Sequence, residues 1–189
     1  MADSAIDLGP DLAMSRADYR CWAEAQPTGR FERIDGTVVA MAPERRSHAK
    51  RKALVWLALH QAVQAADLPC EVYPDGMTFE IDDNDFEPDA ILRCGDELPG
   101  DGVSVPDPLV VVEVLSPSTR QADLTRKMVA YFRVPSVRHY LIFWADRPQV
   151  IHHRRRDDDD AIDTRVVTTG EIKLDPPGVS ISVETIYAG

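Results

Sequence analysis

The sequence predicts an α/β fold: a mixed β-sheet flanked by helices, with a β-hairpin near the N-terminus. Three observations carry this. Phe31-Glu32-Arg33-Ile34 and Thr37-Val38-Val39-Ala40-Met41 alternate around Asp35-Gly36, a strong short-range hairpin signal. Two stretches with helical spacing, from Ser47 to about Ala66 and from about 119 to 133, separate groups of strand-like runs. Leu109-Val110-Val111-Val112-Glu113-Val114-Leu115 reads as a strand buried on both faces, interrupted by one acid.

Taken in order, residues 1–14 read as a flexible acidic leader with Gly9-Pro10, and Ser15 caps a short helix to about Ala25. Gln26-Pro27-Thr28-Gly29 breaks that helix, and Pro43 ends the hairpin that follows. After the Ser47 helix, strands are expected near 70–81, 88–93 and 109–115, then the second long helix, then strands near 138–145 and 148–154. The tail from 162 offers short strands broken by Gly170 and Pro176-Pro177-Gly178. No repeat or linker interrupts this order, so residues 15–189 are expected to form a single domain.

Composition narrows the function. With 189 residues and 44% hydrophobic content, the chain can build a core without staples. Its longest apolar run, Ala53 to Leu59, is too short to span a bilayer, and Met1-Ala2-Asp3-Ser4 lacks signal-peptide character. A cytoplasmic protein with no membrane partner is the expectation. Cys21, Cys70 and Cys94 are odd in number and widely spaced, so buried or neutral thiols are expected rather than a disulfide framework or a zinc site. A net charge of −11 argues against non-specific coating of nucleic acid.

The cations are nevertheless clustered. Arg45, Arg46, His48, Lys50, Arg51 and Lys52 fall at the start of the Ser47 helix. Two readings stay open: a solvated basic turn, or a patch facing phosphate at a helix N-terminus. Asp82-Asp83-Asn84-Asp85 lacks the glycine of a calcium loop and reads as a turn. The 152–160 charge run reads as a strand end entering a polar hairpin loop.

Glu113 is the most informative residue, because an ionised carboxylate in such a strand is costly unless a cation or hydrogen-bond donor meets it. Asp89 is a second candidate: Pro88 begins a short extended segment and leaves Asp89 at its first free position. Two acids at neighbouring strand ends suit a hard metal ion. Glu32 shares a hairpin face with Ile34, which favours an inward carboxylate. On the second long helix, Leu124, Met128 and Tyr131 share a face, with Lys127 roughly 40° from Tyr131 at about 100° per residue. Lys127 is then either a snorkelling lysine paired with Asp123 at i, i+4, or an ammonium that reaches back to Glu113. Asp89 alone would also suit a turn, and His48 a first-turn surface position. His60, His139, His152 and His153 show no ligand spacing.

Together these residues resemble a known family. Pro88-Asp89 followed by Glu113-Val114-Leu115 resembles the motif of the PD-(D/E)XK nuclease superfamily. More specifically, Phe31-Glu32-Arg33-Ile34-Asp35-Gly36, the helix opened by Ser47-His48, and Val111-Val112-Glu113-Val114-Leu115-Ser116-Pro117-Ser118-Thr119 with Asp123, Lys127 and Tyr131 are similar to the Uma-two-type restriction endonucleases. The resemblance runs from about residue 15 to the end. It implies a restriction-endonuclease-like sheet in which Asp89, Glu113 and the Val114 carbonyl bind Mg2+ or Mn2+, with Glu32 nearby as ligand or base. Leu115 stands where the superfamily motif has lysine, and the resemblance implies that Lys127 supplies that charge. Arg45, Arg46, His48, Lys50 and Arg51 are the candidate substrate contacts, while Asp123 and Tyr131 would support the site. The implied activity is metal-dependent endonucleolytic hydrolysis of DNA, with weak DNA binding in view of the net charge and a homodimer as the expected assembly. The competing reading is a catalytically silent nuclease-fold binding or assembly module.

Overall fold

The structure, a computed structural model, describes residues 12–115, 121–159 and 161–188, with the backbone alone for 121–123. Its centre is a mixed six-stranded sheet. In chain order, the N-terminal region gives α1 (Arg16–Glu24), β1 (Phe31–Ile34), β2 (Thr37–Ala40) and α2 (Arg46–Ala65). Next come β3 (Cys70–Pro74), β4 (Phe79–Ile81), β5 (Asn84–Phe86), β6 (Ala90–Cys94), β7 (Val110–Leu115) and α3 (Gln121–Tyr131). The chain finishes with β8 (His139–Trp144), β9 (Val150–Arg155), β10 (Ile162–Val167), β11 (Glu171–Leu174), β12 (Val179–Ser182) and α4 (Val183–Tyr187).

Strand order in the large sheet is β10-β9-β8-β7-β6-β3, and only β7 and β8 run parallel. A parallel pair needs a crossover, and α3 lies in it. On one sheet face, Val110, Val112, Val114, Leu141 and Phe143 pack with Val55, Leu59 and Val63 of α2 and with the β11–β12 hairpin and α4. On the other, Val111, Tyr140 and Ile142 pack with Tyr131 of α3 and with Phe79, Ile81 and Phe86 of a smaller sheet ordered β2-β1-β5-β4. β7 is thus covered on both sides, as its continuous apolar run predicts.

The Asp-Gly hairpin forms as expected, with Asp35 and Gly36 both at positive φ (50° and 75°). Ser15 caps α1 by accepting from the Asp18 N–H. Several expectations need correction. Residues 12–14, assigned to a loose leader, pair along β2: Val38 N–H donates to Leu12 O, Met14 N–H to Gly36 O. The helix expected from Ser47 starts at Arg46, with Arg45 in an extended N-cap conformation. The long strand expected over 70–81 breaks at Asp75-Gly76, where Gly76 has φ 102°, and its second half pairs with β5. β5 is unexpected from pattern because it carries Asn84 and Asp85, which are buried but satisfied by Asp35, Arg16 and Arg33. The 82–85 acids do form a turn into that strand, with Asp82 at φ 49°. The capping Ser118 and the expected helix start at Thr119 lie outside the described residues.

The cysteine expectation fails. β3 and β6 run antiparallel with Cys70 opposite Cys94, and the two form a disulfide, while Cys21 is exposed. Sequence spacing hid the pair because their opposition is set by sheet register. No helix among the described residues is long and apolar enough to cross a membrane.

Candidate active site

The carboxylates meet where β7 ends and β6 begins. Because β6 runs antiparallel to β7, the residue before β6 lies beside the last residues of β7: Asp89 N–H donates to Val112 O at 3.0 Å, and Val114 N–H donates to Asp89 Oδ2 at 2.6 Å. Glu113 leaves β7 on the α3 side. There the Lys127 ammonium lies 3.0 Å from Glu113 Oε1 and 3.0 Å from Glu32 Oε1, and Tyr131 OH donates to Glu113 Oε1 at 2.7 Å. Glu32 reaches the same point from β1 and also accepts from the Glu87 N–H at 2.9 Å. Relative exposures of 7% for Glu32, 7% for Asp89, 8% for Glu113 and 4% for Lys127 place the cluster inside the protein.

Burial governs its electrostatics. It pushes the Glu113 carboxyl up to about 8 against the opposing pull of Lys127, with Asp89 and Glu32 adding in the same direction. Burial likewise raises Asp89, opposed by the Val114 N–H, His48, Lys52 and Lys127. Tyr131 is held neutral by burial and by the neighbouring Glu113, so it remains a donor. Its ring is wedged by Phe79, Phe86 and Tyr140 at centroid distances of 5.6, 5.4 and 5.1 Å, which fixes the direction of the hydroxyl.

Helix α2 supplies the opposite wall. His48 Nε2–H donates to the Val114 carbonyl at 2.6 Å, and its Nδ1 lies 2.8 Å from Glu44 Oε1. Lys52, one turn further on and buried, lies 3.5 Å from Asp89 Oδ1, 2.7 Å from Asp75 Oδ2, and also pairs with Glu44. Arg30 ties Asp75 to Glu87. These opposite charges hold Glu44 and Asp75 below the usual carboxylate range, although burial alone would raise them.

The structure thus brings together Glu32, Asp89, Glu113, Val114, Lys127, Tyr131 and His48. Arg45, Arg46 and Lys50 lie exposed on the first turns of α2. Arg51 does not join them. It is buried on the far side, donates to Ile186 O and stacks 3.8 Å over the Tyr187 ring, so its assignment as a substrate contact is corrected to an anchor for α4. Arg51 lies about 100° around α2 from Lys52, which turns it toward α4 while Lys52 faces Asp89. The Asp123 side chain, and with it the alternative Lys127–Asp123 pair, lies outside the described residues.

Sequence reasoning counted Lys52 only in the basic run, without its place beside Asp89, and overlooked Asp75. The signal for Lys52 was the four-residue spacing from Glu44 through His48 to Lys52. Asp75 follows β3, and only the sheet register brings it near Asp89, since Pro74 pairs with Ala90.

Comparison with known proteins now decides the family. The model of the family described as "Uma2: Putative restriction endonuclease" matches residues 16–185. The chain belongs to the Uma2 family. A curated relative, "Uncharacterized protein slr1290" of Synechocystis sp., is 25% identical over 182 residues, covering 95% of this chain and 94% of its own. A crystal structure of "a putative nuclease belonging to DUF820" from Anabaena variabilis superposes with a TM-score of 0.72 at 13% identity, covering 88% of this chain and 95% of that one. At that identity the likeness is one of fold, and the fold is the expected restriction-endonuclease-like α/β arrangement.

Proposed function

We propose that this Uma2 protein is a divalent-metal-dependent nuclease that hydrolyses phosphodiester bonds in DNA. The observation that carries the reading is the Lys127 ammonium, buried and shared at 3.0 Å between Glu113 and Glu32, beside Asp89 and the Val114 carbonyl.

The donor set fits a hard cation. Asp89, Glu113 and Val114 O are oxygen ligands gathered at one point of the sheet. Among the described residues no three His, Cys, Asp or Glu side chains form a ready-made cage. Two carboxylates plus a carbonyl, completed by solvent, suit Mg2+, which keeps several waters. When bound, the ion would polarise a phosphoryl oxygen and lower the pKa of a bound water.

The chain's own residues divide the remaining work. Val114 N–H fixes the Asp89 carboxylate, and Tyr131 OH fixes that of Glu113. Lys127 offers an ammonium where negative charge develops on phosphate. Glu32, braced by the Glu87 N–H, is a carboxylate able to take a proton from an attacking water. Arg45, Arg46 and Lys50 would hold the backbone on either side, and a homodimer would present a second site to the other strand of a duplex.

One feature favours the silent-module alternative: the net charge of −11 opposes a polyanionic substrate. Incubating supercoiled plasmid with the protein in Mg2+, Mn2+ or EDTA separates the two. Nicked or linear product from the wild type with metal, absent with EDTA and with Glu113→Gln, supports the nuclease; intact plasmid under every condition supports the module.

A further inference from the structure

One side chain stands on an oxygen that the proposed metal reading requires. The His48 Nε2–H is aimed at the Val114 carbonyl at 2.6 Å, and the same nitrogen lies 3.8 Å from Asp89 Oδ2. The ring faces the gap between the two oxygens from α2. It is braced from behind through Nδ1 by Glu44, which is itself held by Lys52. This is a different position from a surface contact to DNA: the side chain is 16% exposed and turned inward.

A divalent cation bound by the Val114 carbonyl and Asp89 would lie about 2.0–2.6 Å from each oxygen, in the space toward which the N–H hydrogen now points. The hydrogen carries the positive end of the N–H dipole, so ring and cation repel as well as overlap. We infer that His48 is a displaceable occupant of the cation position: it satisfies the Val114 carbonyl while no metal is bound and gives it up when a divalent cation binds. The Glu44 contact, at the opposite edge of the ring, serves as the pivot for that movement. Lys52 stays behind to balance Glu44 and Asp75. This inference rests on the metal-dependent reading above and adds a residue that competes with the ion instead of holding it.

The test is calorimetric titration of the full chain with Mn2+, comparing wild type, His48→Ala, His48→Gln and Glu113→Gln, with thermal unfolding to show that each is folded. His48→Ala is expected to bind Mn2+ on the order of five- to tenfold more tightly, since about one net hydrogen bond no longer competes. His48→Gln, which keeps an N–H donor of similar reach, is expected to bind close to wild type. In a crystal structure of the Mn2+ complex, His48 Nε2 is expected beyond hydrogen-bond distance of Val114 O. Wild-type binding that is unchanged or weakened in His48→Ala would overturn the inference and leave the metal reading standing, because the ring would then be a bystander or a ligand. A ring still bonded to Val114 O beside bound Mn2+ would overturn it as well. Absence of binding in both wild type and His48→Ala would overturn inference and metal reading together. Binding by His48→Ala alone would support the inference, with the imidazole outcompeting the ion in the wild type.

Discussion

Lys127 Nζ lies 3.0 Å from Glu113 Oε1, although one is carried on a helix and the other on the strand before it. In the superfamily motif the lysine follows the acid on the same strand, at the position held here by Leu115, whose side chain packs into the core beneath α3. Bringing the cation from α3 leaves that position apolar and lets one ammonium reach Glu32 on β1 as well. The small sheet and the large sheet are thereby joined through a single charge. This is why the N-terminal hairpin belongs to the site rather than decorating it.

Replacing Lys127 by Met keeps the aliphatic stem and removes the ammonium. The variant is expected to fold and to bind Mn2+, because Asp89, Glu113 and Val114 O are untouched, while plasmid cleavage falls by at least about a hundredfold, the usual cost of losing one charge-stabilising group. Cleavage at the wild-type rate would show Lys127 to be structural.

Asp89→Asn and Glu113→Gln are each expected to abolish Mn2+ binding in a calorimetric titration while preserving the fold. Both substitutions keep shape and hydrogen-bonding capacity. Glu113→Gln also removes a carboxyl whose ionisation is resisted by burial, so above neutral pH the variant is expected to be at least as stable as the wild type to urea. The sign follows from the upward shift: the folded state holds the Glu113 proton more tightly than the unfolded chain, so stability present below about 4.5 is lost as pH rises toward 8. Mn2+ affinity unchanged in both variants would dismiss these acids as ligands.

Much of the site was legible because its residues violate local expectation. An acid in a valine run and an acid after a strand-starting proline are each visible from composition within a few positions. Lys127 was visible as a residue at the border of an apolar helix face, but only tertiary packing shows that it reaches both Glu113 and Glu32. What stayed hidden depends on register. Asp75 approaches Asp89 through the β3–β6 pairing, and the same pairing places Cys70 opposite Cys94. β5 escaped notice for another reason: Asn84 and Asp85 look like turn residues, yet the Asp35 N–H and Ile81 O satisfy the Asn84 side chain while Arg33 and Arg16 make the burial of Asp85 tolerable. Arg51 shows the converse, a cation in a basic run whose helical phase turns it into the core.

DNA binding is expected to be weak, with a shallow salt dependence of about −0.9 in log affinity per log salt for each phosphate contacted. Arg45, Arg46 and Lys50 are exposed at the head of α2, so changing all three to Ser is expected to flatten the slope by up to roughly 2.7 if each meets one phosphate. Arg51→Met, in contrast, is expected to leave the slope alone and to cost stability through lost packing on α4. Fluorescence anisotropy on a short duplex in Ca2+, over a salt series, measures both. A slope insensitive to the triple substitution would remove the α2 patch from the binding surface.

Away from the carboxylates, His139 and His152 form an acid-sensitive joint. His139 Nε2–H donates to Pro176 O at 2.9 Å, so its Nδ1 is free to accept from His152 Nε2–H, also at 2.9 Å. A further proton on His139 would have to sit on Nδ1, facing an N–H, and would break the bond from His152 that joins the two rings across β8 and β9. Burial, the neighbouring His152 and nearby arginines hold His139 down at about 3, and burial with Arg154 and Arg165 holds His152 at about 4. Both values lie below the unfolded histidine value, so the stability they confer is present above about 6.5 and is lost as pH falls toward 4. Near pH 5 the unfolded chain binds more protons at this pair than the folded one, so stability falls as the pH is lowered through that range. Urea denaturation from pH 7 to pH 4.5 is expected to show that fall in the wild type and a markedly flatter profile in the His139→Gln/His152→Gln double variant, which still carries His153. Parallel profiles for the two proteins would mean that these rings titrate normally in the folded state and that the joint is not acid-sensitive.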